Sequence, residues 1–261
     1  MKVHVLNKRG DTLVFVLDGA TPAFANALRR LMISEVPTLA VEWVDFHTNG
    51  SVLFDEIIAH RLGLIPLVFD PKKLNPKDSC KCGGKGCPLC EVVFALEKKG
   101  PAMVRSGDLR SSNRAVKPTS PNFPIVELLK DQSIKFEARA QLGTGRQHAK
   151  WQAASASYQY YPELEVSRDC SLHDLRKCVS ECPKGVLTLK GNKLTLKDPV
   201  RCDLCLKCES VTDGVKVRAD PNRFIFRVET VSGLSPAEIV GQAGEILQAK
   251  AEEFKKKADK L

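Results

Sequence analysis

The hydrophobic pattern changes period several times along the chain. Residues 12–18, TLVFVLD, are β-branched and aromatic and predict a strand. Thr21 followed by Pro22 is a helix start: a capping hydroxyl, then a proline whose missing N–H costs nothing in the first turn. Phe24, Ala27, Leu28, Leu31 and Met32 then recur every three to four residues, the spacing of one helical face. Pro37 ends that helix, because the residue before a proline is pushed out of the α region. Leu39–Phe46 predicts a second strand, and Leu53–Leu62 a helix closed by Pro66.

After residue 70 Pro, Lys, Gly and Ser dominate to about residue 122, interrupted by an apparent strand at Glu91–Lys98. This segment has little apolar content, so something other than a core must hold it. Alternation returns at Ile134–Leu142 and Tyr158–Val166. The run VLTLKGNKLTL alternates about Gly191-Asn192 and predicts a β-hairpin. Residues 224–231, FIFRVETV, predict a strand. Ser235-Pro236-Ala237-Glu238 is a capping box with proline at the first helical position, and Ile239, Ala243, Ile246, Leu247, Phe254 and Leu261 continue one helical face. The chain opens strand–helix–strand and closes strand–helix. The middle therefore reads as inserted between two halves of one α+β scaffold.

Composition sharpens this. The 261 residues give ample chain for a core, and 43% hydrophobic with 27% charged residues is ordinary for a globular protein and excludes wholesale disorder. No run approaches a membrane span, and MKVHVLNKRGDT lacks the apolar stretch of a secretory signal, so a cytoplasmic protein is expected. Two values stand out, a net charge of +9 and ten cysteines. The charge excess lies in residues 71–120 (+7) and 166–223 (+4), and those segments also hold every cysteine. Without export, a disulfide framework is disfavoured and metal binding leads.

The first cysteine group is Cys80, Cys82, Cys87 and Cys90, spaced C-x-C-x4-C-x2-C with three glycines between. Four thiolates this close can surround one tetrahedral ion, and glycine allows the sharp turns this needs. Zinc is expected. With four protein ligands no position is open to water or substrate, so the site is structural. Lys77, Lys81 and Lys85 are near enough in sequence to offset its charge of about −2.

The second group follows another rule. Cys202, Cys205 and Cys208 form a close C-x2-C-x2-C triplet, and Cys182-Pro183 stands nineteen residues upstream, counted from Pro183 to Arg201. Bacterial-type ferredoxins combine such a triplet with a distant Cys-Pro cysteine to hold one [4Fe–4S] cluster. One [4Fe–4S] cluster is predicted, with a [3Fe–4S] form if a ligand is released and a zinc ribbon as the rival. A second cluster fails on count. Its triplet would need cysteines at positions occupied by Leu172 and Leu175, and its distant ligand falls at Thr212. Cys170 and Cys178 are then free thiols or a disulfide.

Other signals are weaker. Gly143-Thr144-Gly145 approaches a dinucleotide fingerprint but lacks the third glycine. The five histidines are scattered, and no nucleophile–base pair can be defended, so no catalytic residue is expected. The charge alone would suit a nucleic-acid binder, and the second cysteine group alone an electron carrier of ferredoxin type.

FANALRRLMISEVPTLAVEWV followed by LFDEIIAHRLGLIPL resembles the N-terminal domain of the RNA polymerase α-subunit family. Together with the two cysteine groups it is most similar to the branch that holds the archaeal D-type subunits and the third-largest subunit of eukaryotic RNA polymerase II. The resemblance implies a discontinuous α-subunit-like dimerisation domain (1–46 and 224–261), an inserted β-rich domain with the four-cysteine zinc loop (47–165), and a small ferredoxin-like iron–sulfur domain (166–223). It also implies a non-catalytic assembly subunit of a nucleotidyltransferase complex. Its partners would be a smaller α-like subunit (L), the large catalytic subunits and small zinc-binding subunits, with DNA met only indirectly and no membrane. Phe24, Leu28, Leu31, Ile239, Ala243 and Ile246 would serve core or dimer contact, and Arg29, Arg30, His60 and Arg61 would face the large subunits.

Overall fold

The computed structural model describes residues 1–260. In chain order the elements are β1 (Lys2–Arg9), β2 (Thr12–Asp18), α1 (Pro22–Ser34), β3 (Thr38–Asn49), α2 (Asp55–Gly63), β4 (Leu67–Val68), β5 (Glu91–Lys99) and β6 (Ala102–Arg105). There follow β7 (Arg110–Ser111), β8 (Lys117–Pro118), β9 (Pro124–Leu128), β10 (Ser133–Gly143), β11 (Ala154–Val166), α3 (Leu172–Glu181), β12 (Leu187–Lys190), β13 (Lys193–Leu196), β14 (Val215–Thr230) and α4 (Pro236–Ala258). The fold is mixed, mostly β, and no described helix is long and apolar enough to cross a membrane.

The chain forms two compact units, residues 1–29 with 157–228 and residues 30–156 with 229–261. The first unit contains a four-stranded sheet in the order β1-β2-β14-β11. β2 is buried on both faces from Leu13 to Leu17, as its unbroken apolar run requires. Phe15 stacks on Phe226 with ring centroids 5.0 Å apart, and Tyr158 meets Phe226 at 5.4 Å. Fully burying side chains of this size contributes about 1.5–3 kcal/mol each. The hairpin β12–β13 pairs Leu187 with Leu196 through Lys190 with Lys193, leaving Gly191-Asn192 as its two-residue turn.

The second unit is built on the antiparallel sheet β3-β10-β5-β7. β10 alternates strictly, burying Ile134, Phe136, Ala138 and Ala140 and exposing Lys135, Glu137 and Arg139. α2 packs on β3 and β9. α4 begins at the anticipated capping box: the Ser235 side chain accepts from the Glu238 amide at 3.3 Å, and the Ser235 amide donates back to the Glu238 carboxylate at 2.8 Å. Ile239 and Ala243 are fully buried.

The elements anticipated from the pattern are present, most with ends moved by a few residues, but β14 begins at Val215, well ahead of the strand expected from Phe224. The hydrophobic pattern predicts nothing over β1, α3 or the short strands β4, β6, β7, β8 and β9. α3 did carry a signal: Ser171 caps it, accepting from the Asp174 amide at 3.1 Å, and Leu175 and Cys178 form its buried face. Gly143 and Gly145 serve packing in place of phosphate binding. A Cβ at 143 would lie 2.4 Å from the Trp151 ring, and one at 145 would lie 2.4 Å from the Ile33 carbonyl.

Candidate metal centres

Residues 76–90 turn tightly ahead of β5. Cys80 and Cys90 are buried, Cys82 and Cys87 half-buried. The four sulfurs all lie within 4.8 Å of one another. Cys80–Cys87 and Cys82–Cys90 are separated by 3.6 Å and Cys87–Cys90 by 3.7 Å. The turn is glycine-dependent, with φ of +63°, +79° and +90° at Gly83, Gly84 and Gly86. The Cys87 amide also donates to the Cys90 sulfur at 3.3 Å. Lys77, one of the three expected counter-charges, is ion-paired with Glu91 at 3.2 Å. This arrangement can hold a metal ion.

The protonation of the tetrad expresses the same crowding. At Cys82 burial opposes ionisation, but S–H donation from Cys80 and Cys90 outweighs it and brings the thiol down to about 6. Burial pushes Cys90 up to about 12. Four adjacent sulfurs cannot all become thiolates unless a cation sits among them.

The second group is organised differently. α3 ends at Cys182, where Pro183 prevents continuation. Burial works to raise the Cys182 thiol, but the backbone polar groups of Val186, Lys184, Gly185 and Leu187 around it lower it. Cys202, Cys205 and Cys208 lie in the irregular segment between β13 and β14. Gln159 on β11 reaches this segment and donates to the Val200 carbonyl at 3.0 Å and to that of Cys202 at 3.4 Å. Two ion pairs join it to the Cys182 end, Lys184–Asp203 at 3.2 Å and Lys207–Glu181 at 3.9 Å. Leu204 and Leu206, which alternate with the cysteines, have φ of +55° and +58°. A left-handed leucine costs about 1–2 kcal/mol, and two within three residues mark a loop whose shape is imposed from outside it.

Cys182, Cys202, Cys205 and Cys208 line one recess together with Val186, Leu187, Leu196 and Val217. Among the described residues, no group of three or more metal-ligating atoms beyond the Cys80 tetrad draws within 4.8 Å. These four cysteines thus surround a common space without converging on one point. Cys170 and Cys178 are both free, and Cys178 is fully buried.

The other expected contact residues divide. Leu28, Leu31, Ile239 and Ala243 are buried, whereas Phe24 and Ile246 are half-buried. Arg29 bonds to Asn26 at 3.0 Å, and Arg61 donates to the Ile125 carbonyl at 2.7 Å. Arg30 and His60 are exposed. Periodicity did not anticipate a run of exposed apolar side chains beside α2: Val52, Phe54 and Ile57 are 71%, 78% and 45% exposed. The signal was present in VLFDEII, whose apolar residues are too numerous for one buried face of a short helix.

The fold and the first cysteine group thus define a mixed α+β scaffold bearing four clustered cysteines that could hold a metal ion. A profile described as the RNA polymerase Rpb3/RpoA insert domain matches residues 44–160. The chain is also similar over its length to proteins named DNA-directed RNA polymerase subunit Rpo3. It is 40% identical to that of Methanosarcina acetivorans, over 100% of this chain and 99% of the relative. It is 43% identical to that of Thermoplasma volcanium, over 93% and 94%, and 38% identical to that of Pyrococcus furiosus, over 100% and 98%. The chain belongs to the Rpo3 family of DNA-directed RNA polymerase subunits, the archaeal D-type subunits.

Proposed function

We propose that this chain is the non-catalytic assembly platform of a DNA-directed RNA polymerase. The observation that carries the reading is similarity along the whole chain, opening and closing segments as well as the insert, to polymerase subunits of nearly the same length. Residues 1–46 and 224–261 form the dimerisation scaffold and pair with a smaller α-like subunit (L). Residues 47–165 form the inserted domain, and 166–223 the iron–sulfur domain. The large catalytic subunits and small zinc-binding subunits dock on the heterodimer, DNA is met only through them, and the location is cytoplasmic. Supporting this, large apolar groups lie open to solvent, Phe54 beside α2 and Phe254 (75% exposed) on α4. Apolar groups left uncovered in one chain are what a docking subunit presents.

Cys80, Cys82, Cys87 and Cys90 hold one zinc ion. A tetrahedron with metal–sulfur bonds of about 2.3 Å has edges of about 3.8 Å, close to the 3.6–3.7 Å of the pairs Cys80–Cys87, Cys82–Cys90 and Cys87–Cys90. When bound, the ion supplies a cross-link to a loop that has little core of its own. Cys182, Cys202, Cys205 and Cys208 hold one [4Fe–4S] cluster, structural or redox-regulatory, which passes to a [3Fe–4S] form if a ligand is released. Two features support it: sulfurs spread around one recess, as a polynuclear group needs, and a left-handed loop between the triplet cysteines.

The test is co-expression with the small α-type subunit, followed by tag purification and metal analysis. A stable one-to-one complex carrying one zinc, with about four iron and four sulfide, is expected. Absence of the partner from the purified material sinks the platform reading. Iron-bearing protein that ignores the partner but exchanges electrons with a redox protein would favour the ferredoxin-type alternative.

A further inference from the structure

Cys178 is the one cysteine of the incomplete half-motif that stands in ligand register, while leucines occupy the other two positions of that triplet. It lies on α3 with no exposed surface, in a small core made with Leu175, Leu187, Leu194 and Val215. Two of the expected cluster ligands, Cys182 and Cys208, pack against that core. Cys182 follows Cys178 by one helical turn on the same face, so whatever fixes Cys178 also fixes the end of α3. The Cys178 Sγ donates to the backbone carbonyl of Cys208 at 3.5 Å. That carbonyl closes a loop that already carries two left-handed leucines, Leu204 and Leu206.

We propose that Cys178 is a positioning residue for the second thiolate group: its buried S–H holds the Cys208 carbonyl and keeps the loop shape that aims the Cys208 sulfur into the recess. This rests on reading Cys182, Cys202, Cys205 and Cys208 as the cluster ligands. Cys178 itself is not a ligand, since its sulfur is turned into the apolar core and engaged with a carbonyl. The eroded half of the motif has become the support of the surviving half. Ligand geometry in metal sites is commonly fixed by such outer partners.

A thiol is a weak donor, and a buried cysteine also serves as a small hydrophobe. The two roles predict opposite orders among variants. Full-length wild type, Cys178→Ser, Cys178→Val and Cys178→Ala are prepared anaerobically. Iron and sulfide are counted, and the decay of the absorbance near about 400 nm is timed in excess chelator. If the donor matters, Val and Ala load the cluster but lose it about fivefold faster, the factor expected for one hydrogen bond. Ser, which keeps the donor, stays within about twofold of wild type and gives the wild-type electron paramagnetic resonance spectrum after reduction. If Val behaves as wild type and Ser loses the cluster fastest, Cys178 only fills space and the proposal is overturned. A drop in iron stoichiometry in all three variants would make Cys178 a ligand and overturn it too. Wild type that purifies without iron or sulfide removes the ligand reading itself, a distinct result because it needs no variant.

Discussion

At Gly86 the backbone φ is +90°, and a Cβ would lie 3.1 Å from the Glu91 carboxylate. That carboxylate is held by Lys77, so it cannot retreat without breaking an ion pair. Gly86→Ala is therefore expected to misplace Cys87 next to it and weaken metal binding about tenfold, as a left-handed alanine costs about 1–2 kcal/mol; competition with a chromophoric chelator measures it. A second residue-scale expectation concerns acid. Burial works to raise the Asp108 carboxyl, but the hydrogen bond from Lys98 at 2.6 Å and that from the Arg105 amide at 2.8 Å bring it below the ordinary carboxylate range. Its stabilisation is thus fully present above the unfolded value of about 3.9 and is lost as pH falls through the lower folded value. The side chain is one-third exposed, so its worth is discounted to about 1 kcal/mol. Urea titrations between neutral pH and pH about 2 should show that loss, beginning below pH about 4, in wild type and a shallower one in Asp108→Asn.

Among the elements, α4 passes from a buried, anchored start to an exposed second half. Its first two turns are anchored by the Ser235–Glu238 box and by buried Ile239 and Ala243. Beyond residue 247 every described residue is exposed, Phe254 included. Ser235→Ala should cost about 1 kcal/mol in chemical denaturation, because the Glu238 amide loses its acceptor and the Glu238 carboxylate loses the hydroxyl that donates to it at 2.6 Å. Phe254→Glu should do the reverse: unfolding unchanged to within about 0.5 kcal/mol, while co-purification no longer retains the small α-type partner. Equal retention of that partner would remove Phe254 from the interface. α3 belongs to the same scale. Its apolar face is short, and its cap and buried residues are interleaved with cysteines whose spacing suggested ligand geometry before helix periodicity.

For the whole molecule, the +9 charge counts ten neutral thiols. A zinc–thiolate site and a [4Fe–4S]2+ site would each contribute about −2, leaving about +5. Part of the basic excess would then offset the metal sites; Lys77, Lys184 and Lys207 beside the cysteines are instead paired with Glu91, Asp203 and Glu181. Removing the first metal with a chelator should release a local segment. Within 76–90 the only buried side chains are Cys80 and Cys90, whereas β5 and β10 are held by Phe94, Leu96 and Phe136. Hydrogen exchange is expected to rise across 76–90 and stay protected in β5 and β10; simultaneous loss in both would show that the metal supports the whole sheet.

Local chemistry was sufficient for much of this protein. Alternation or an apolar run marked the longer strands other than β1, a hydroxyl, a proline and a glutamate marked the start of α4, and the spacing of Cys80, Cys82, Cys87 and Cys90 marked a four-sulfur site. Each of those signals is carried by neighbours in the chain, so it survives without a fold. Tertiary structure alone decided which residues meet across long separations. It set Cys178 against the carbonyl of Cys208, thirty residues away, and Gln159 against the loop before Cys202. It also left Phe54 and Phe254 uncovered. Burial and long-range hydrogen bonding depend on what the rest of the chain brings to a residue, and periodicity records only what the residue brings itself.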